Sequence, residues 1–264
     1  RGTKTASLTL NRATDSTRQP GSTFKIVSTY APALNEKGMT LATTYEDEPI
    51  TYENGAPVNN AGGNFNGTTT LRTAIRNSVN TVAVQCFEDV TPKLGLKYLD
   101  NFGFTTLAHG TEADTDANGN VYTDANLPTA LGGLTYGVKN VELCAAYAAI
   151  ANGGNYIKPV YYTKILDHNG NVLIENNSAG RSVIKETTAY LLTSALEDVV
   201  QNGTGTACQL DNMAVAGKTG TTDEYNDLWF VGYTPYYTCA VWSGYDGNQK
   251  IPEGDARKHY GARL

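Results

Sequence analysis

The chain has 264 residues, 40% of them hydrophobic and 17% charged, a globular mixture long enough for one large domain or two lobes of one. A formal net charge of −6 argues against a nucleic-acid partner, which would call for a basic face, and no run of 18 apolar residues offers a membrane span. The first apolar residues are interspersed with Arg1, Lys4, Asn11 and Arg12, so no secretory leader is expected within these residues.

Pro20-Gly21 forces a tight entry into a helix predicted over 22–37, with apolar Phe24, Ile26, Val27, Tyr30, Ala31 and Leu34, closed by Gly38. Residues 38–70 are rich in Gly, Asn, Thr and Pro and read as long surface connections. A short helix is predicted over 70–76, broken around Ser78-Val79-Asn80. A second helix then carries Val82, Ala83, Val84 and Phe87. Thr91-Pro92 is an N-cap and N1 pair for a helix running to about Asn101. A strongly apolar helix follows over 140–152, closed by Gly153-Gly154. Two strands at 160–166 and 171–175 flank Asp167-His168-Asn169-Gly170, the signature of a hairpin. An amphipathic helix over 185–201 stops at Asn202-Gly203, and three strands close the chain at 213–219, 228–233 and 238–245. A helical middle followed by an antiparallel sheet makes an α+β fold.

Three short motifs lie along this frame in a fixed order: Ser22-Thr23-Phe24-Lys25, Ser78-Val79-Asn80 and Lys218-Thr219-Gly220. Each alone has a structural explanation, as a cap, a solvated face or a strand-end glycine. Jointly they supply a nucleophile, a nearby base, a proton relay and a cationic anion-binding strand, an acyl-transfer site built without histidine. Lys25 lies three residues after Ser22 and so on the same helix face. Ser22 at the helix start gains from the positive end of the dipole. Desolvation and a neighbouring cation, with Lys218 as the candidate, would lower the pKa of Lys25 enough to make it a base. Ser78 can pass a proton between Lys25 and a leaving group, and Asn80 offers an amide to a substrate peptide. Lys218 and Thr219 should point to opposite faces of an ideal strand, which predicts a twist or bulge near Gly220.

Other machinery is absent or weak. Only His109, His168 and His259 are present and none adjoins a G-x-S-x-G elbow, which argues against a Ser-His-Asp site. Asp114, Asp116 and Asn118-Gly119 resemble the start of a calcium loop, but Ala125 stands where a bidentate Glu is needed, so a polar turn is expected and no metal. Cys86, Cys144, Cys208 and Cys239 are widely spaced with no C-x-x-C pair; Cys144 and Cys239 sit in apolar runs and read as buried, inert thiols, while a disulfide stays open because sequence cannot pair them.

With these motifs in place, the chain resembles the transpeptidase domain of a class A penicillin-binding protein, one of the bifunctional peptidoglycan synthases of bacteria. The resemblance rests on Arg18-Gln19-Pro20-Gly21 before Ser22, on Thr70-Leu71-Arg72-Thr73-Ala74 before Ser78, and on Ala151-Asn152-Gly153-Gly154. Most specific is Gly217-Lys218-Thr219-Gly220-Thr221-Thr222 leading to Trp229-Phe230-Val231-Gly232-Tyr233-Thr234-Pro235. It implies the serine β-lactamase and penicillin-binding-protein transpeptidase fold, an antiparallel sheet packed with helices plus a mostly helical lobe. Residues 1–264 would form one such domain, with the helical lobe over about 22–155 and the sheet region over about 156–264. The family's two leading strands and closing helix would lie outside this chain.

The resemblance also implies roles. Ser22 would form the acyl-enzyme with the penultimate D-alanine of a stem pentapeptide, Lys25 would be the general base and Ser78 the relay. Asn80 would hold the donor peptide. Thr219 and Thr221 would bind its carboxylate beside Lys218, with Gly220 and Thr222 in the same substrate-binding stretch. The backbone N–H groups of Ser22 and Thr221 would form the oxyanion hole. An acceptor stem amine would take the acyl group, and β-lactams would acylate the same serine. No cofactor or metal is implied. The site of action would be the extracytoplasmic face of the bacterial membrane, with the membrane anchor and glycosyltransferase domain outside this chain.

Three rival functions share the chemistry. A class A β-lactamase would need a glutamate in an E-x-x-x-N pattern, and none of the candidates between the second and third motifs has Asn four residues on. A β-lactam sensor module would be acylated without turnover; the long match from Trp229 to Tyr233 favours a synthase. A D,D-carboxypeptidase, passing the acyl group to water, shares the site motifs.

Overall fold

The structure is a computed structural model and describes residues 9–252. The chain enters through β1 (Thr17–Arg18) and a 3₁₀ turn at Gly21–Thr23, continues as a π-helical turn at Ile26–Tyr30, and ends that helix as α1 (Ala31–Glu36). The regular helix expected over 22–37 is thus distorted in its middle, and Pro32 gives the reason. Without an N–H it cannot close an α-helical bond to Ser28, and Ala31 instead donates to Ile26 in the wider π pattern. Nor is this helix amphipathic: residues 23–34 are all buried, Lys25, Ser28 and Thr29 with the apolar ones. It is the axis of the molecule.

Residues 38–70 were expected as long surface connections; most of them are exposed, as expected, but the segment is more regular than a plain connection. They form two antiparallel pairs, β2 (Thr44–Asp47) with β5 (Gly67–Thr70) and β3 (Ile50–Thr51) with β4 (Pro57–Val58). A few polar groups gather around one buried carboxylate: Asp47 accepts from Asn60 Nδ2 and Thr81 Oγ1, both at 2.6 Å, and from the backbone and side-chain N–H groups of Asn66 at 2.8 and 2.9 Å.

The helical lobe continues with α2 (Leu71–Asn77), α3 (Asn80–Val90) and α4 (Pro92–Asn101). The side chains of Thr70 and Thr91 cap α2 and α4, accepting from Thr73 N and Leu94 N. α3 and α4 pack against the π-helical turn. The Asp114–Asn120 stretch is the expected polar turn, with Asp116 accepting from the backbone N–H groups of Asn118 and Asn120. β6 (Val138–Lys139) pairs with β1 and leads into α5 (Asn140–Ala151). β7 (Asn155–Tyr156), the predicted hairpin β8 (Lys164–Leu166) and β9 (Val172–Glu175), and β10 (Arg181–Ser182) precede α6 (Glu186–Asn202).

The closing sheet is β11 (Ala216–Thr221), β12 (Asp227–Tyr233) and β13 (Thr238–Gly244), antiparallel in that order. The first strand starts three residues later than predicted, because Leu210 and Met213 bridge each other across the Asp211-Asn212 turn. Trp229, Val231 and Tyr233 point inward to join Phe24, Ile26, Leu143, Tyr147, Leu192 and Leu196 in one core. α5 lies along β12 and β13, α6 along β11. Cysteine placement differs in part from expectation. Cys86 is buried and burial pushes its thiol up to about 12, Cys144 is half-buried with its thiol also pushed up by burial, but Cys239 is exposed. Its ladder partner is Gly232, on the face turned away from the core, so the apolar run around it is half outward-facing.

Candidate active site

Ser22 lies in the opening 3₁₀ turn, part-exposed, and no side chain caps the start of that turn. Gly21 before it adopts φ +54°, and a Cβ there would stand 2.8 Å from Thr221 O and 3.2 Å from Thr221 N. A glycine is therefore required both for the backbone turn and for the close approach of β11. The same junction is tight from the other side: a Cβ on Gly220 would meet Pro20 O at 2.7 Å and Thr23 Cγ2 at 2.8 Å. Trp229 Nε1 donates to Gln19 O at 2.9 Å, and the buried Tyr147 hydroxyl of α5 donates to Thr23 O at 2.7 Å. Sheet and helix together hold the serine.

Lys25 is completely buried. Its Nζ donates to Ser78 O at 2.8 Å and Asn80 Oδ1 at 2.6 Å, and lies 3.3 Å from Ser78 Oγ. Lys218, equally buried, reaches the same hydroxyl from the other side, with Nζ 2.9 Å from Ser78 Oγ and 3.0 Å from Thr219 O. Neither ammonium has a carboxylate partner among the described residues. Burial therefore dominates: it holds Lys25 well below the ordinary lysine value, with the nearby Lys218 charge as the second cause, and it lowers Lys218 to about 7. A neutral Lys25 has two N–H donors, and Ser78 O and Asn80 Oδ1 accept both. The amine lone pair is then available to a hydroxyl. Among the described residues no hydrogen bond yet joins Ser22 to Lys25; such contacts tighten in the substrate complex.

Ser78 owes its position to a left-handed backbone. It caps α2 with φ +59° and ψ +40°, and its N–H bonds back to Ala74 and Ile75 carbonyls. That conformation is uncommon outside glycine and turns its hydroxyl between the two lysines and its carbonyl onto Lys25. The Asn80 amide is oriented at both ends, with Oδ1 on Lys25 and Nδ2 donating to Asn59 O at 2.5 Å. Its N–H donates to Asn60 Oδ1 at 2.8 Å. Asp47 thus acts on the site through Asn60. Burial alone would raise the Asp47 pKa, but the hydrogen bonds from Thr81, Asn60 and Asn66 outweigh it and hold it below the usual value. Sequence reasoning missed Asp47 and Asn60. The signal was the density of Asn and Asp in a segment that also holds apolar Val58 and Leu41.

On β11 the predicted bulge near Gly220 is absent: the ladder with β12 runs unbroken from Ala216 opposite Tyr233 to Thr221 opposite Leu228. Simple alternation suffices. Lys218 and Gly220 share the face toward the helix, with Lys218 alone extending into the buried cleft. Thr222 N–H bonds across to Asp227 O, so the alternation turns the N–H and C=O of Thr219 and Thr221 outward from the ladder. Thr219 O accepts Lys218 accordingly, and Thr221 N–H is free to face the cleft beside Ser22. Thr222 is not brought in: its Oγ1 accepts Asp227 N–H at 2.9 Å and closes the β11–β12 turn.

A helix-start serine and two buried lysines that share one hydroxyl, neither with a carboxylate partner among the described residues, define on this α+β scaffold a penicillin-binding transpeptidase domain. The chain belongs to that family, since the model of the penicillin binding protein transpeptidase domain matches residues 2–260. More particularly, it is 35% identical over 256 residues to penicillin-binding protein 1A of Clostridium acetobutylicum, covering 92% of this chain and 30% of that protein. The chain thus spans about a third of the length of the curated relatives it matches. The D,D-transpeptidase domain of an Eggerthella lenta peptidoglycan glycosyltransferase superposes with TM-score 0.70 at 29% identity, over 86% of this chain and 59% of that one. PonA1 of Mycobacterium tuberculosis, solved in complex with penicillin V, superposes with TM-score 0.77 at 26% identity, over 93% of this chain and 64% of that one. The serine β-lactamase and penicillin-binding fold expected from the motifs is therefore the fold found.

Proposed function

We propose that this chain is a D,D-transpeptidase that cross-links peptidoglycan stem peptides through an acyl-enzyme on Ser22. The observation that carries the reading is the convergence of Lys25 and Lys218, both buried and without a carboxylate partner among the described residues, on the one hydroxyl of Ser78. Lys25 takes the proton of Ser22 as its oxygen attacks the penultimate D-alanine carbonyl. The N–H groups of Ser22 and Thr221 hold the resulting oxyanion. Ser78 receives the proton from Lys25 and hands it to the amine of the departing D-alanine. Lys218 bends to the open edge of β11 from one face of the strand and the Thr219 and Thr221 hydroxyls from the other, so that together they hold the terminal carboxylate, with Asn80 on the donor peptide. An acceptor amine then attacks the ester and restores Ser22.

β-Lactams acylate Ser22 in the same way, a reading supported by the penicillin V complex of the mycobacterial neighbour. No helix of the described residues is long and apolar enough to cross a membrane. The domain works at the extracytoplasmic face of the cell membrane. The test is incubation with a synthetic pentapeptide ending in D-Ala-D-Ala and an amine-bearing second stem. Free D-alanine with a cross-linked dimer is expected. Tetrapeptide alone would assign a D,D-carboxypeptidase, and acylation without turnover a sensor.

A further inference from the structure

The segment joining α6 to β11 touches the cleft at Thr204, a residue outside all three motifs. Its Oγ1 lies 2.7 Å from Thr219 Oγ1, and either hydroxyl can be the donor. The backbone around Thr204 is fixed on two sides. Gly203 N–H and Gly205 N–H both donate to Val199 O, at 3.1 and 3.0 Å, and Thr204 N–H donates to Arg76 O at 3.3 Å. A Cβ on Gly203 would stand 2.3 Å from that same Arg76 carbonyl, so this approach needs a glycine. Arg76 belongs to the last turn of α2, two residues before the left-handed Ser78, and its guanidinium pairs with Asp198 of α6 at 3.8 Å. One short loop thus ties the turn that presents Ser78 to the strand that presents Lys218 and Thr219.

The direction of the Thr204–Thr219 bond follows from the ligand. Each hydroxyl has one proton, and a carboxylate only accepts. If Thr219 donated to Thr204, its proton would be lost to the anion. With Thr204 as donor, the Thr219 proton is free, and the two bonds polarise each other in series. We propose that Thr204 is a positioning residue that fixes the Thr219 hydroxyl as a donor to the substrate carboxylate, and that the Arg76–Gly203–Thr204 contact holds this anion site in register with Ser78. This rests on the function proposed above and adds a carboxylate-selecting residue to it.

Benzylpenicillin and its methyl ester, which differ in that one charge, separate the two claims. Acylation of Ser22 by each is followed by mass spectrometry in the unmodified chain and in Thr204→Val, Thr204→Ser and Gly203→Ala. Thr204→Val should slow the acid about tenfold, the scale of one charge-assisted hydrogen bond, and the ester by less than about threefold. Thr204→Ser should restore the preference for the acid. Gly203→Ala, which keeps both hydroxyls but drives the loop off Arg76, should lower the acid-to-ester ratio in the same direction. An unchanged acid-to-ester ratio in Thr204→Val, whether both rates fall together or neither falls, overturns the assignment. Failure of the unmodified chain to form any Ser22 adduct overturns the catalytic reading first, and Thr204 with it.

Discussion

Two buried lysines share the Ser78 hydroxyl, and the chemistry of the cleft follows from their having no carboxylate among the described residues to keep them charged. In Lys25→Ala the attacking oxygen keeps its proton, and acylation should slow by about 10²-fold or more, the usual scale for a general base. In the pH profile of acylation by benzylpenicillin, the ascending limb should lie far below the ordinary lysine range, because it reports proton loss from Lys25. A descending limb is expected near 7, where Lys218 loses the charge that holds the carboxylate. Lys218→Arg keeps its charge at any accessible pH and should remove that limb; a profile that keeps it would contradict the role of Lys218. Stability carries the same signature. An unfolded lysine keeps its proton to about 10.4, so between the folded value of Lys218, about 7, and that point the unfolded chain binds the extra proton. Stability therefore rises with pH across that window. Burial accounts for what sequence left open here: Lys25 three residues after Ser22 is visible in the motif, but a solvated lysine would look the same.

At the scale of elements, the site is the seam where β11 meets the 3₁₀ turn. Gly220→Val introduces a side chain where Pro20 O and Thr23 Cγ2 leave no room, so it should separate strand from turn and abolish most acylation. Thr221→Pro is the finer probe. The N–H of Thr221 points away from the β12 ladder, so its loss leaves the strand pairing intact, as proline on an open strand edge does. It still removes one of two oxyanion donors, worth about 2.7–4 kcal/mol in transition-state stabilisation. A Thr221→Pro chain with unchanged thermal unfolding and an undiminished acylation rate would show the oxyanion hole to be elsewhere. The strand itself was legible from Gly217-Lys218-Thr219-Gly220. The expected bulge was not needed, because a lysine can bend into the cleft from the same face on which Gly220 meets the turn.

Across the whole molecule, the long apolar periods were legible: the helices at 80–90, 92–101, 140–151 and 186–202, and the two final strands, appear close to where pattern and caps place them. The misreadings fall where tertiary contact decides. Pro32 turns a regular helix into a π turn inside the core, and Asp47 turns polar, loop-like sequence into an inward-facing network. Asp47→Ala strands Asn60 and Thr81 in a dry site. It should destabilise the fold by about 1–3 kcal/mol and slow acylation through Asn60 and Asn80, as thermal unfolding and labelling together would report.

Ser22 as the acylated nucleophile is read out by mass spectrometry of the chain after exposure to benzylpenicillin. One adduct is expected on the peptide that contains Ser22, lasting minutes to hours because no E-x-x-x-N glutamate is present to deliver water. No adduct should form in Ser22→Ala. Undiminished labelling of Ser22→Ala, or release of hydrolysed penicillin at many molecules per second, would contradict it.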